Sequence, residues 1–134
     1  MDVNFLKSLI GKLDATCRDA LHSAAGLCFT NKNYDVDVEH LLLKLLEAPT
    51  TDIERILRHF EINHGRVVND VTRALERLKT GNTRTPDFSP HLPRLFQEAW
   101  LLASVEYGAE NIRSGHLLLA LLTDDALARL TLKI

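Results

Sequence analysis

Several features typical of nucleic-acid-binding and membrane proteins are missing from this chain of 134 residues. Lys and Arg together number 16 against 18 Asp and Glu, which gives a formal net charge of −2. Without a basic excess, the sequence has no electrostatic footprint for nucleic acid or an anionic lipid surface. No apolar run approaches the roughly 20 residues that a membrane-spanning helix needs. We therefore expect neither nucleic acid nor a membrane among its partners.

The sequence motifs of common catalytic and metal sites are also missing. The chain has no Gly-x-x-x-x-Gly-Lys-Ser/Thr loop, the segment whose backbone amides cradle nucleotide phosphates. It has no His-Glu-x-x-His or paired-cysteine zinc pattern and no Gly-x-Ser-x-Gly nucleophile elbow. We therefore expect this chain to be no enzyme and to hold no metal and no cofactor.

Cysteine usage and the first residues indicate a cytoplasmic protein. The chain has two cysteines, Cys17 and Cys28. On one helix they would lie about 16 Å apart along its axis, whereas a disulfide needs Cα atoms within roughly 7 Å. We expect both thiols to be reduced. The segment Met1–Ile10 lacks a basic leader and a small-residue cleavage site, so we expect no secretory signal.

A duplicated segment is the most informative feature that is present. His40–Leu46 recurs as His116–Leu122, with six of seven positions identical and a spacing of 76 residues (116 − 40). This spacing predicts two similar helix sets about a pseudo-twofold axis. Because each copy is apolar nearly all round, we expect two buried central helices in which Leu42 and Leu118 are equally buried. The two histidines are expected to bond to backbone across the pseudo-twofold axis, not to bind a metal.

Helical periodicity elsewhere predicts an all-α fold, a single domain of about seven or eight helices, since no strand-like alternation appears. Asn4–Leu13 has one apolar face, and Asp14 and Asn63 are good N-caps for later helices. Ser89, followed by Pro90, predicts another helix start. We divide the chain into an extra N-terminal helix (1–13), a first repeat (14–78), a linker (79–88) and a second repeat (89–134), which ends in a short helix over 126–132.

Several of these stretches carry a family resemblance over nearly the whole chain. The two copies Val38–Leu43 and Ser114–Leu119 resemble the duplicated N-terminal domain of Clp-type AAA+ unfoldases. Three further stretches, and the extra amphipathic segment before Leu13, look like the ClpV family, the ATPases of bacterial type VI secretion. These stretches are Leu9–Leu21, Ala24–Cys28 and Gln97–Ala103.

The resemblance implies a role in substrate recognition. In the ClpV family two ATPase modules, which use ATP and Mg, follow this domain, form a hexameric ring and extract subunits from the contracted secretion sheath. The N-domain captures the N-terminal helix of the sheath's large subunit. The chain would then be the recognition domain of this enzyme, monomeric by itself. The alternative is a general Clp N-domain that docks an adaptor or unfolded substrates.

The binding surface should consist of apolar residues that remain after the leucine segments and Trp100 are assigned to the core. Phe88 lies between two prolines and either packs on its own helix as a hydrophobic staple or is presented for contact. The resemblance favours contact, because the ClpV groove forms around the extra N-terminal helix. The predicted partner-binding residues are Phe5, Leu6, Leu9, Leu13, Phe88 and Leu92.

The chain departs from relatives that bind phosphoarginine. Those relatives have a glutamate before the histidine of both copies and a threonine at the start of each half. Glu39 precedes the first histidine here, but Gly115 precedes the second, and Asp14 stands near the first threonine position. The resemblance therefore implies that one such pocket is lost and leaves the other in question.

Overall fold

The computed structural model describes residues 3–125 and residue 127. A short helix α1 (Val3–Lys12) precedes the longer α2 (Ala15–Thr30), and a π-helical turn over Leu102–Glu106 continues the sixth helix. The other helices are α3 (Val38–Glu47), α4 (Asp52–His59), α5 (His64–Glu76), α6 (His91–Leu101) and α7 (Ser114–Thr123). The all-α prediction is confirmed, and no described helix is long and apolar enough to cross a membrane.

Side-chain caps fix where the helices begin. The Asp14 carboxylate accepts the backbone N–H of Cys17 at 2.9 Å, and the Asn63 amide oxygen accepts that of Arg66 at 3.0 Å. Before α6, the Ser89 hydroxyl accepts the N–H of His91 at 3.0 Å. Each bond satisfies a donor that the first helical turn leaves without a partner, so the three predicted starts are confirmed.

Two short parallel backbone bridges join the halves of the molecule. Strand β1 (Asp35–Val36) pairs with β2 (Asp87–Phe88), and an isolated parallel bridge joins Leu13 to Ile112. The two bridges correspond, since Ile112 lies 76 residues after Val36 (112 − 36) and Phe88 lies 75 after Leu13 (88 − 13). The same hydrogen bond follows each bridge at 2.9 Å, from Ser89 N to the Val36 oxygen and from Asp14 N to the Ile112 oxygen. The strands are too short for sequence alternation to indicate them.

The two leucine helices form the centre of the core but are covered unequally. Helix α3 packs against α2 and α5, whereas α7 packs against α4, α6 and the π-helical turn. Leu46 is 4% exposed, but its counterpart Leu122 is 59% exposed. Leu42 is buried and Leu118 only half-buried, which corrects the expectation of equal burial. The physical reason is that α5 covers α3, and no described helix takes the corresponding place on α7.

Three smaller expectations have different outcomes. Cys17 and Cys28 are both buried on α2 and free, as expected. Trp100 is half-buried at the edge of α6 and does not belong to the core, which corrects its assignment there. The short helix predicted over 126–132 lies, apart from the buried Leu127, outside the described residues.

Two neighbouring leucines of α7 test this packing. Leu117 is 2% exposed, whereas Leu118 is half-buried. We expect Leu117→Ala to lower the free energy of unfolding by about 2–5 kcal/mol, the usual loss for a core leucine. Leu118→Ala should cost roughly half as much, because fewer of its contacts are lost. Urea denaturation followed by circular dichroism measures both, and equal losses would contradict the orientation of α7.

Candidate partner-binding surface

Helix α1 lies against α6 and presents one aromatic side chain. Leu9 is buried in this contact, Leu6 and Ile10 are partly buried against the core, and Phe5 is 41% exposed. The spacing of these residues places them along one side of the helix, so burying Leu9 leaves its neighbours at the edge of the contact. Gly11 does not end the helix, which continues to Lys12.

Phe88 lies in the short strand β2, just before α6 in the chain. Strand β2 places Phe88 beside Val36, which is 2% exposed, and α6 begins three residues later at His91. The Phe88 side chain is itself 40% exposed. Backbone pairing therefore holds Phe88 in place and presents part of its ring to solvent. We give the name apolar surface to Phe5 and Leu6 of α1, which packs on α6, and Phe88, which lies just before α6 in the chain.

The other three predicted binding residues belong to the core. Leu9 is 4% exposed, and Leu13 and Leu92 are fully buried. This corrects the expectation that they remain free after the core forms. The physical reason is that α1 covers α6 with the face that carries Leu9, and the bridge to Ile112 draws Leu13 inward. Whether the three surface residues bind a partner stays a prediction.

Sequence reasoning missed a contact at the far end of α1. The Lys12 ammonium lies 4.8 Å from the centroid of the Trp100 ring. Lysine over an indole face is an attractive cation–π arrangement. The signal was present in the sequence, because Phe5, Leu9 and Lys12 follow the i, i+4, i+7 spacing of one helix face. This places Lys12 along the edge that also carries Phe5.

The two repeated histidines cap their own helices. His40 Nδ1 accepts the backbone N–H of Asp37 at 2.9 Å, and His116 Nδ1 accepts that of Arg113 at the same distance. The bonds are to backbone, as predicted, but they stay within one helix start and do not cross the pseudo-twofold axis. Histidine at the third helical position here replaces the glutamate of an ordinary capping box. Burial lowers the pKa of His40, which favours the neutral ring that this bond requires.

An anionic cluster lies at the start of α3. His91 Nδ1 lies 3.1 Å from Asp37 Oδ1, which also accepts the N–H of Val38 at 2.8 Å. The neighbouring Glu39 has one carboxylate oxygen, Oε1, that is buried without a hydrogen-bond partner in the described part of the chain. Burial, together with the charge of Asp37, raises the pKa of Glu39 to about 7. The folded state therefore disfavours the charged form of Glu39.

At the equivalent start of α7, a side chain of the protein, Asp52, lies against the first residues of the helix. Asp52 accepts two bonds from the Arg113 guanidinium, at 2.8 and 2.6 Å, and one from the N–H of Gly115 at 3.3 Å. These bonds lower the pKa of Asp52. A Cβ added at Gly115 would lie 3.2 Å from the Asp52 Cβ. The replacement of glutamate by glycine in the second copy therefore has a steric reason, and Asp52 fills the place that an anionic ligand would take.

The described residues contain no group of three His, Cys, Asp or Glu side chains placed to hold a metal ion. The clusters at the two leucine-helix starts are instead explained by capping and ion pairing. We take the apolar surface, together with Lys12 and Trp100, as the candidate site, because it contains the predicted binding residues that remain exposed or half-buried.

Glu39 gives a pH-dependent test of the anionic cluster. Its pKa rises from an ordinary value of 4.5 to about 7 on folding, so folding becomes less favourable as pH increases between these values. Glu39→Gln should therefore be more stable than the parent at pH 8, by about 1–2 kcal/mol after allowance for solvent screening. At pH 4 this advantage should vanish. Urea unfolding at both pH values measures it, and a gain that is independent of pH would contradict this account.

Comparison with known proteins identifies the family to which this fold belongs. The Clp repeat N-terminal domain family matches residues 12–133. Chaperone protein ClpB of Yersinia enterocolitica is 39% identical over 128 residues, covering 96% of this chain and 14% of the relative. AAA+ ATPase ClpV1 of Pseudomonas aeruginosa is 30% identical over 120 residues, covering 90% of this chain and 13% of the relative. The chain thus spans only about a seventh of the length of these relatives.

Solved structures agree with the resemblance to ClpV. The N-domain of ClpV from Vibrio cholerae superposes with a TM-score of 0.82 at 35% identity, covering 93% of this chain and 78% of that one. A complex of a ClpV N-domain with a VipB peptide superposes with a TM-score of 0.82 at 35% identity, covering 91% of this chain and 74% of that one. The resemblance to the N-terminal domain of ClpV is confirmed by these matches. The family match starts at Lys12, where α1 ends; that α1 is an addition to the shared domain stays a prediction. This chain belongs to the Clp repeat N-terminal domain family.

Proposed function

We propose that this chain is the substrate-recognition domain of a type VI secretion AAA+ unfoldase and binds the N-terminal helix of the sheath's large subunit. The observation that carries the proposal is its similarity, across 91% of its length, to a ClpV N-domain in complex with a VipB peptide. A Clp N-domain is not itself an ATPase module, whereas the longer relatives are ATPases. ATP-driven disassembly of contracted sheath in the bacterial cytoplasm would belong to the hexameric full-length protein, and this chain alone would be a monomer.

The apolar surface suits a helical ligand. Phe5 and Phe88 are 41% and 40% exposed, and Leu6 lies half-buried next to Phe5. An amphipathic helix binds such a surface through apolar anchors at i, i+3, i+4 and i+7.

Phe88 is the residue whose change should affect binding most. Phe88→Arg removes an aromatic contact and places a charge against the apolar face of the ligand. We expect the VipB peptide to lose about 2 kcal/mol of binding free energy, roughly thirtyfold in Kd, if Phe88 is an anchor. Fluorescence anisotropy of a labelled peptide measures this loss.

Phe60 supplies the matched control for that variant. It is 67% exposed at the end of α4, away from α1 and β2, so Phe60→Arg should leave the Kd unchanged. Both variants should keep the parent's melting temperature and helical circular dichroism. A folded Phe88→Arg protein with the parent's affinity would remove Phe88 from the site. If Phe5→Arg also left the Kd for the VipB peptide unchanged, the apolar surface as a whole would be refuted as the binding site.

A general Clp N-domain that docks an adaptor or unfolded proteins is the second candidate. It is favoured by the ClpB relative, whose identity of 39% exceeds the 30% of ClpV1. A competition assay separates the two candidates. If an unfolded model protein displaces the VipB peptide at comparable concentration, the general role is supported. If the peptide binds and the unfolded protein does not, the sheath role is supported.

We further propose that this chain binds no nucleotide and needs no cofactor. The sequence has no P-loop, so it lacks the nest of backbone amides that would cradle the phosphates. Titration calorimetry with ATP and Mg²⁺ should show no saturable heat, and no phosphate should be released. A saturable micromolar site would contradict this expectation.

A further inference from the structure

We propose that Lys12, held on the face of Trp100, selects partner helices that carry a carboxylate six to eight residues from the apolar residue seated on Phe5. This inference rests on the proposed function and adds the chemistry of the partner. It comes from the place of Lys12 at one end of the edge that begins at Phe5.

Lys12 has a fixed backbone and an available charge. Its carbonyl oxygen accepts the backbone N–H of Ile112 at 2.7 Å and the side-chain amide of Asn111 at 3.3 Å. Its ammonium lies over Trp100 and forms no ion pair among the described residues. The hydrogen bonds beside the Leu13–Ile112 bridge thus fix the position of the Lys12 backbone, and the indole ring of Trp100 orients its ammonium group. A carboxylate of a bound partner can pair with this charge without displacing an internal acid.

Helix geometry sets the spacing of the partner's acid. Phe5 and Lys12 are seven residues apart on α1, so they lie about 10.5 Å apart along its axis and on the same side. Leu9, between them, is buried against α6. A partner helix lying along α1 rises at the same 1.5 Å per residue. The residue six to eight positions from its Phe5 anchor therefore comes opposite Lys12, whichever way the partner helix runs.

The charge of α1 supports an acidic partner. Within Val3–Lys12 the only ionisable side chains are Lys7 and Lys12, so this helix presents positive charge alone. Lys7 follows Phe5 by two residues, which places it about 200° around the helix, on the opposite side from the proposed site. Complementary charge at the edge of an interface controls which partner binds more than it adds raw affinity. Lys7 thus provides a control with the same charge on the same helix.

The test compares Lys12→Glu and Lys7→Glu in the 134-residue protein. The probes are the VipB peptide and variants with a single Glu or Lys placed in turn at each position six to eight residues from its apolar anchors. We expect the parent to prefer the best-placed Glu over Lys about five- to tenfold in Kd, with the preference falling in high salt. Lys12→Glu should invert this preference, and Lys7→Glu should keep it. Lys12→Met, which keeps the stem on the indole, should abolish the preference without inversion.

Trp100 reports directly on the site, since it is the only tryptophan in the chain. Its fluorescence should change on binding in the parent and in Lys7→Glu. If the peptides bind in a Phe88-dependent way but the parent and Lys12→Glu share the same charge preference, the role of Lys12 is refuted and the proposed function stands. If no peptide of the series binds the parent, both fail. Circular dichroism confirms that each variant is folded.

Discussion

The crossed pair of backbone bridges is the constraint on which the rest of this structure depends. Each bridge joins the segment before the first helix of one repeat to the segment before the leucine helix of the other. The two halves are therefore interlocked and do not simply stack side by side. Because main-chain hydrogen bonds make the connection, it depends little on which side chains stand nearby. The same bridges set where α1 ends and where Phe88 lies.

The two bridges have the same backbone pairing, but the side chains at equivalent positions differ in their exposure to solvent. Leu13 follows directly after α1 and is fully buried, whereas its counterpart Phe88 follows an irregular linker and is 40% exposed. In the first half, α1 ends directly before the bridge, and the side chain of Leu13 there is buried. In the second half, no described helix directly precedes the bridge, and the larger aromatic side chain of Phe88 remains partly exposed. The two halves are therefore not symmetric at their bridges.

Local signals in the sequence predicted what depends on neighbouring residues. The caps at Asp14 and Asn63 and the leucine repeat follow from short-range hydrogen bonding and periodicity, and the structure has them. Periodicity gave the inner face of α1 but not how deeply Leu9 is buried, because depth depends on α6, about 90 residues away in sequence. The buried Asn33 was missed for the same reason. Its amide contacts His40 and the carbonyl of Lys79, so its role depends on where the linker returns.

The starts of the two leucine helices offer no free place for an anionic ligand. Both starts inherit the same histidine cap, and a helix start ordinarily attracts an anion. At α7 that place is taken by Asp52, which is paired with Arg113 and packed against Gly115. At α3 the neighbouring residues Asp37 and Glu39 are themselves acidic, so a further anion would meet like charges. The duplication has therefore diverged in two directions that both disfavour anionic ligands. The recognition that we propose for this domain then rests on the exposed aromatic residues Phe5 and Phe88 and on the positive charge of α1.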